Sequence, residues 1–146
     1  MRKVELLAPA GDLEKLKIAF EYGADAVYIG GEIFGMRSAA KNFTKENMIE
    51  GVNFAHERNK KVFVTCNIIP RSEDLELLRN YLLELDEIGV DAVIVSDPGV
   101  FKIVRETIPN MEIHISTQAS TTNYTAANFW YNQGAQRIVT ARELSF

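Results

Sequence analysis

Gly23-Ala24-Asp25-Ala26-Val27-Tyr28-Ile29, Gly89-Val90-Asp91-Ala92-Val93-Ile94-Val95 and Gly134-Ala135-Gln136-Arg137-Ile138-Val139 are three renderings of one phrase. In each, a helical pattern ends at a Gly suited to the left-handed closing position. One or two residues turn, and a β-branched apolar run begins. The phrase is a helix-to-strand joint. Between the joints, apolar residues fall at helical spacing: Leu13/Leu16/Ala19/Phe20, Met48/Val52/Ala55, Leu75/Leu78/Leu82/Leu85, Val100/Ile103/Val104 and Tyr124/Ala127/Trp130/Tyr131. Asp12, Thr44, Ser72 and Asp97 stand where an N-cap oxygen is needed, and Pro98 follows Asp97 at the first helical position. The aromatic group Phe129, Trp130 and Tyr131 reads as core packing rather than a base-stacking platform.

Six short apolar strands fit the remaining runs: Val4 to Ala8, Ala26 to Gly30, Lys61 to Asn67, Ala92 to Asp97, Glu112 to Gln118 and Arg137 to Arg142. Strict alternation of strand and helix with short joints predicts a parallel sheet, closed as a barrel or open and doubly wound. Two features favour the barrel. Strand starts from Val4 to Arg137 are about 27 residues apart, near a one-eighth share of a (β/α)₈ barrel, and no Gly-rich nucleotide-binding fingerprint appears. In Glu112-Ile113-His114-Ile115-Ser116-Thr117-Gln118, alternation puts His114, Ser116 and Gln118 on one face. A barrel lumen accepts that polar set, whereas burial under apolar helices would cost about 1–3 kcal/mol per unsatisfied group. The fold expected is α/β, a parallel TIM-barrel-like sheet holding about six of eight strand–helix units. Residues 1–146 then form one domain, the N-terminal portion of such a barrel, and its open sheet edges invite self-association.

Composition narrows the function. The 146 residues are 47% apolar and 25% charged, which excludes wholesale disorder, and a net charge of −4 lacks the diffuse basic footprint of a dedicated nucleic-acid module. A single cysteine, Cys66, forms no intramolecular disulfide and supplies too few soft ligands for a structural zinc or an iron–sulfur cluster. No apolar run is long enough to span a membrane, and the N-terminal run is broken by Glu5 and Pro9, which reads as a cytoplasmic protein.

In both fold options function sits at strand C-termini, so the polar residues there are the candidates. Arg37, Asn67, Asp97, His114, Gln118, Asn123, Arg142 and Glu143 are among them. Arg37 and Arg142 suit bidentate binding of carboxylate or phosphate. Asp97 reads most simply as a helix cap, His114 as a lumen histidine and Cys66 as a small buried hydrophobe. Glu5 lies mid-strand and needs a cation such as Arg142 if it faces the lumen. No nucleophile elbow, Walker loop or metalloprotease helix motif occurs, so no catalytic residue and no metal site is assigned.

Taken in order, Glu5-Leu6-Leu7-Ala8-Pro9-Ala10-Gly11, Gly23 to Gly31, Phe34-Gly35-Met36-Arg37, Asn67-Ile68, Val95-Ser96-Asp97-Pro98-Gly99, His114-Ile115-Ser116-Thr117-Gln118 and Ala141-Arg142-Glu143-Leu144-Ser145 resemble the N-terminal part of the collagenase-like peptidase family U32. The resemblance implies most of a TIM-like barrel in a longer protein. It implies two activities for that protein, peptide hydrolysis or hydroxylation of a base in transfer or ribosomal RNA, the latter linked in some members to prephenate. A non-catalytic scaffold role is the third option. It also implies RNA or a small carboxylate metabolite as partner, and a four-iron four-sulfur cluster in full-length relatives on cysteines downstream of this chain. This chain carries none of those cysteines, so it is expected to be cluster-free and inactive alone.

Overall fold

A computed structural model describes residues 4–32 and 43–144 of the chain. Six strands alternate with five α-helices: β1 Leu7–Pro9, α1 Leu13–Glu21, β2 Ala26–Gly30, α2 Lys45–His56, β3 Lys61–Thr65, α3 Leu75–Ile88, β4 Ala92–Val95, α4 Pro98–Thr107, β5 Glu112–Ile115, α5 Tyr124–Asn132 and β6 Arg137–Ile138. All pairs are parallel, and the spatial order is β1-β2-β3-β4-β5-β6. That order settles the choice left by the sequence. A doubly wound sheet reverses its strand order at a switch point, whereas strands laid down strictly in sequence keep every helix on one face and curl the sheet into part of a barrel.

Two apolar layers follow. The larger packs Val27, Ile29, Val62, Val64, Val93, Val95, Ile113 and Ile115 against Leu16, Phe20, Val52, Leu82, Val104 and their neighbours on the helices. The smaller, Ala26, Phe63, Ala92 and Ile94 with Leu7, lines the concave face. Alternation along β5 places His114 and Ser116, both buried, on that concave side. Gln118 leaves the pattern because residues Thr117–Ala119 wind into a 3₁₀ turn.

The repeated joint has a structural meaning that its apolar pattern hides. Gly23, Gly89 and Gly134 all close their helices with positive φ, at 100°, 84° and 98°. Two residues on, Asp25, Asp91 and Gln136 each make the same two bonds to the preceding strand. Asp25 N donates to Leu6 O at 2.8 Å while Asp25 Oδ2 accepts from Leu6 N at 3.0 Å. Asp91 does so with Val62, at 2.9 and 2.8 Å, and Gln136 with Ile113, at 3.0 and 2.9 Å. The sheet is therefore three clamped strand pairs, β1–β2, β3–β4 and β5–β6. Lys60 and His56 brace Asp25 and Asp91 from the side, and Arg105 braces Gln136.

Several expectations are corrected. Strand β1 begins at Leu7, and β3, β4, β5 and β6 end at Thr65, Val95, Ile115 and Ile138, short of the expected Asn67, Asp97, Gln118 and Arg142. Ser72 is no N-cap: residues Ser72–Asp74 form a 3₁₀ turn in which the Asp74 carboxylate accepts from Arg71 N at 2.8 Å. Glu5 pairs with Arg137, at 2.6 Å, and not with Arg142, because Arg137 opens β6 at the level of Glu5 while Arg142 stands at the opposite end. Of the α5 aromatics only Trp130 is core, tilted against Phe101 of α4 at 5.6 Å. Tyr124, Phe129 and Tyr131 are 81%, 54% and 71% exposed, since no described helix flanks α5 on its far side. Among the described residues no helix is long and apolar enough to cross a membrane.

Candidate functional site

The C-terminal ends of the strands form the mouth. At β2, Gly31 runs so close to α3 that a Cβ there would lie 1.9 Å from the Tyr81 hydroxyl oxygen, so glycine is the residue that lets this joint pass. Arg37, like Lys41 and Asn42, lies outside the described residues. At β3, Thr65 Oγ1 donates to Ile29 O at 3.2 Å and Cys66 N to Ile94 O at 2.8 Å. The Cys66 thiol is fully buried, and desolvation pushes its pKa up to about 12, the setting of an inert packing residue.

Asn67 follows at the rim. Its backbone carbonyl accepts from Ser96 Oγ at 3.3 Å, while its own Oδ1 is buried without a hydrogen-bond partner. Asp97 is committed: its carboxylate accepts from Val100 N at 2.9 Å and caps α4, with Pro98 next in line. Asn123 is committed likewise, accepting from Ala126 N at 2.9 Å as the cap of α5. Between β5 and α5, Ser116 Oγ accepts from Gln118 N at 3.3 Å, Ser120 adopts a left-handed conformation at φ 51°, and Gln118 is exposed. Thr121 is buried, its carbonyl accepts from Ala141 N at 3.0 Å, and its Oγ1 has no partner. That bond brings the end of β6, with exposed Arg142 and Glu143, beside the N-terminus of α5.

His114 stands apart from this rim. It is 1% exposed, its ring meets Phe63 edge-on with centroids 4.6 Å apart, and Nε2 bonds Glu112 Oε1 at 2.8 Å. Burial holds its pKa below the usual histidine value, against the opposing pull of Glu112. The neutral ring donates from Nε2 and leaves Nδ1 as a bare, buried acceptor. Around it lies a charged floor at the opposite end of the lumen. The Glu5–Arg137 hydrogen bond keeps the Glu5 pKa below the ordinary carboxylate value, and Arg137 stacks over Phe63 at 5.2 Å.

Of the eight sequence candidates, then, Asn67, Gln118, Arg142 and Glu143 present side chains at the mouth, Asp97 and Asn123 serve as caps, and His114 belongs to the lumen interior. Tyr28 and Thr121 were not singled out from sequence. Tyr28 is on the concave face by the same alternation that places Ala26 there, a signal legible in Ala26-Val27-Tyr28-Ile29-Gly30. Thr121 carries no such signal. Among the described residues no group of three or more His, Cys, Asp and Glu gathers as a metal site.

The comparisons fit this architecture. The family model described as Peptidase family U32 matches residues 11–146. The tRNA hydroxylation protein P1 of Bacillus subtilis is 50% identical over 99% of this chain, which covers 34% of that protein. The 23S rRNA 5-hydroxycytidine C2501 synthase of Escherichia coli is 42% identical over 98% of the chain, covering 21% of it. The solved structure of the U32 peptidase Mk0906 superposes with a TM-score of 0.75 at 18% identity, over 96% of this chain and 61% of that one. The chain thus spans about a third or less of the length of these two relatives. With the match running through the joints, the rim and β6 alike, the chain belongs to peptidase family U32.

Proposed function

We propose that this chain is the substrate-facing arc of an RNA-base hydroxylation protein. The observation that carries the reading is identity of 50% and 42%, across nearly the whole chain, with relatives named for tRNA hydroxylation and rRNA hydroxycytidine synthesis. The rim supports it chemically. Arg142, exposed and with no ion pair among the described residues, suits a phosphate of RNA or the carboxylate of a metabolite such as prephenate. Asn67 and Gln118 bring amide groups to the same mouth, where a planar base finds donors and acceptors. Such work places the protein in the cytoplasm.

The peptidase reading draws no support from these residues. Cys66 is buried with a raised pKa and has no histidine beside it, and His114 spends Nε2 on Glu112. A four-iron four-sulfur cluster does not fit this chain either, because it needs about four thiolates and the sequence holds one cysteine, which is sealed in the core. A cluster in a longer protein of this kind rests on cysteines outside these 146 residues, and the arc alone is expected to be inactive. The test is Arg142→Ala in a full-length protein carrying this chain, with hydroxylated nucleosides in RNA measured by mass spectrometry. Modification should fall at least about tenfold on loss of a charge-assisted contact; unchanged modification removes Arg142 from the site.

A further inference from the structure

Among the described residues, one aromatic ring is open on the concave face. Phe63 of β3, Ile94 of β4 and His114 of β5 are buried there. Tyr28 of β2 shares that face with Ala26 and is 37% exposed. Its ring has no aromatic or cationic neighbour among the described residues, and its hydroxyl has no hydrogen bond. The next position up the same face of β2 is Gly30, which has no side chain to cover it. Across the sheet, Tyr28 is level with exposed Pro9 on one side and buried Phe63 on the other, and Thr65 is level with Gly30.

The surroundings of that ring decide what it can hold. Thr65 Oγ1 donates to Ile29 O and Ser96 Oγ to Asn67 O, so both of these hydroxyl protons are taken. Lys61, the charged residue on this face of β3, is level with Ala26, one layer below Tyr28. What remains at Tyr28 is an uncharged π-face, which suits a flat ring and offers little to a phosphate. Two residues at about 3.3 Å each set the Tyr28 backbone about 7 Å below Gly30. A base that stays stacked in a duplex cannot enter to that depth, whereas an extruded or single-stranded one can.

We infer that Tyr28 is the stacking platform for the substrate base, which enters the lumen unstacked while Arg142 at the rim faces the phosphates. The inference rests on the RNA-base reading above. It adds the residue that receives the base and the form the RNA takes there, a single-stranded loop or an extruded nucleotide. Stacking tolerates any base, so Tyr28 holds the ring in place and leaves the choice of base to the polar groups of the rim.

The test uses a full-length protein carrying this chain, expressed at a limiting level in a Bacillus subtilis strain that lacks its tRNA hydroxylation proteins P1 and P2. Tyr28→Leu fills the space without a π-face and should cut hydroxylated nucleosides in tRNA about tenfold or more. Tyr28→Phe, which restores the ring, should recover most of that loss. Binding of tRNA by the purified variants should change less than about threefold, because phosphate contacts dominate affinity. A residue that merely packs the lumen predicts Leu as good as Phe, so wild-type hydroxylation by Tyr28→Leu overturns the inference and leaves the RNA reading standing. If Leu lowers the unfolding midpoint, hydroxyl-radical labelling of Tyr28 in the unsubstituted protein decides. Labelling should fall at least about threefold when tRNA purified from that strain is added. Labelling that tRNA leaves unchanged, or that is already low without it because the rest of the polypeptide covers the ring, overturns the inference. An unsubstituted protein that restores no hydroxylation takes down the RNA reading and this inference together.

Discussion

Removing Asp91 should cost more than removing Asp25, although the two occupy the same place in the repeated joint. The Asp91 carboxylate accepts from Val62 N at 2.8 Å and from His56 Nε2 at 2.9 Å. Val62 is wholly buried, so in Asp91→Ala its amide has neither partner nor water, at about 1–3 kcal/mol. The half-exposed His56 contact adds less than about 1 kcal/mol. The sum is about 1–4 kcal/mol, or a melting point lower by roughly 2–16 °C for a chain of this size. Gln136→Ala orphans the equally buried Ile113 amide and should cost about 1–3 kcal/mol. Asp25→Ala frees the amide of Leu6, a residue 55% exposed, which water can reach, and loses the Lys60 contact at 3.4 Å, worth less than about 1 kcal/mol, so about 1–2 kcal/mol is expected. Asp91→Asn keeps an acceptor for Val62 N and should recover most of the loss. Urea unfolding at pH 7 and 25 °C, followed by Trp130 fluorescence and circular dichroism, measures all four. The clamp argument fails if Asp25→Ala costs as much as Asp91→Ala, or if Asn is no better than Ala at position 91.

Other predictions follow from single contacts. His114 has a pKa below its unfolded value, so the native state binds fewer protons, and stability should decline as pH falls below about 6.5. His114→Gln should flatten that part of the urea-midpoint profile; an unchanged slope would assign it to another group. Glu5 is also shifted down, so its contribution is present above the ordinary carboxylate range and lost as pH drops through its native value. Arg137→Met should therefore cost about 1 kcal/mol at pH 7 and progressively less as pH falls through the native Glu5 value, and a loss that does not change with pH would point to Arg137 packing on Phe63 instead. Gly31→Ala drives a methyl into the Tyr81 hydroxyl and should cost about 1–3 kcal/mol by thermal melting; a neutral result would show that α3 gives way easily.

Much of the fold was legible because it rests on local signals. The Gly-X-Asp joints, the caps at Asp12, Thr44 and Asp97, and the stripes of α2, α3 and α4 each declare an element, and strand–helix alternation with one polar strand face points to a barrel. What escaped depends on what lies opposite. Glu5 needed a cation, but whether Arg137 or Arg142 supplies it is decided by strand register, which alternation along one strand does not encode. The α5 stripe has the period of a buried helix, yet burial requires a neighbour, and Tyr124 and Tyr131 have none among the described residues. The same holds at the rim. Asn123 looks like any polar strand-end residue until the helix amide it caps is in view, and the unpartnered hydroxyl of Thr121 shows itself only when the loop is folded.

The claim that this arc serves RNA-base hydroxylation is tested most directly by exchange. The matching third of the Bacillus subtilis tRNA hydroxylation protein P1 is replaced by this chain, the hybrid is expressed in a strain lacking that protein, and hydroxylated nucleosides in tRNA are measured by mass spectrometry. Half of the aligned residues already agree, and the account predicts that hydroxylation returns. A hybrid that accumulates folded, yet restores no hydroxylation while cleaving a peptide substrate, would contradict it.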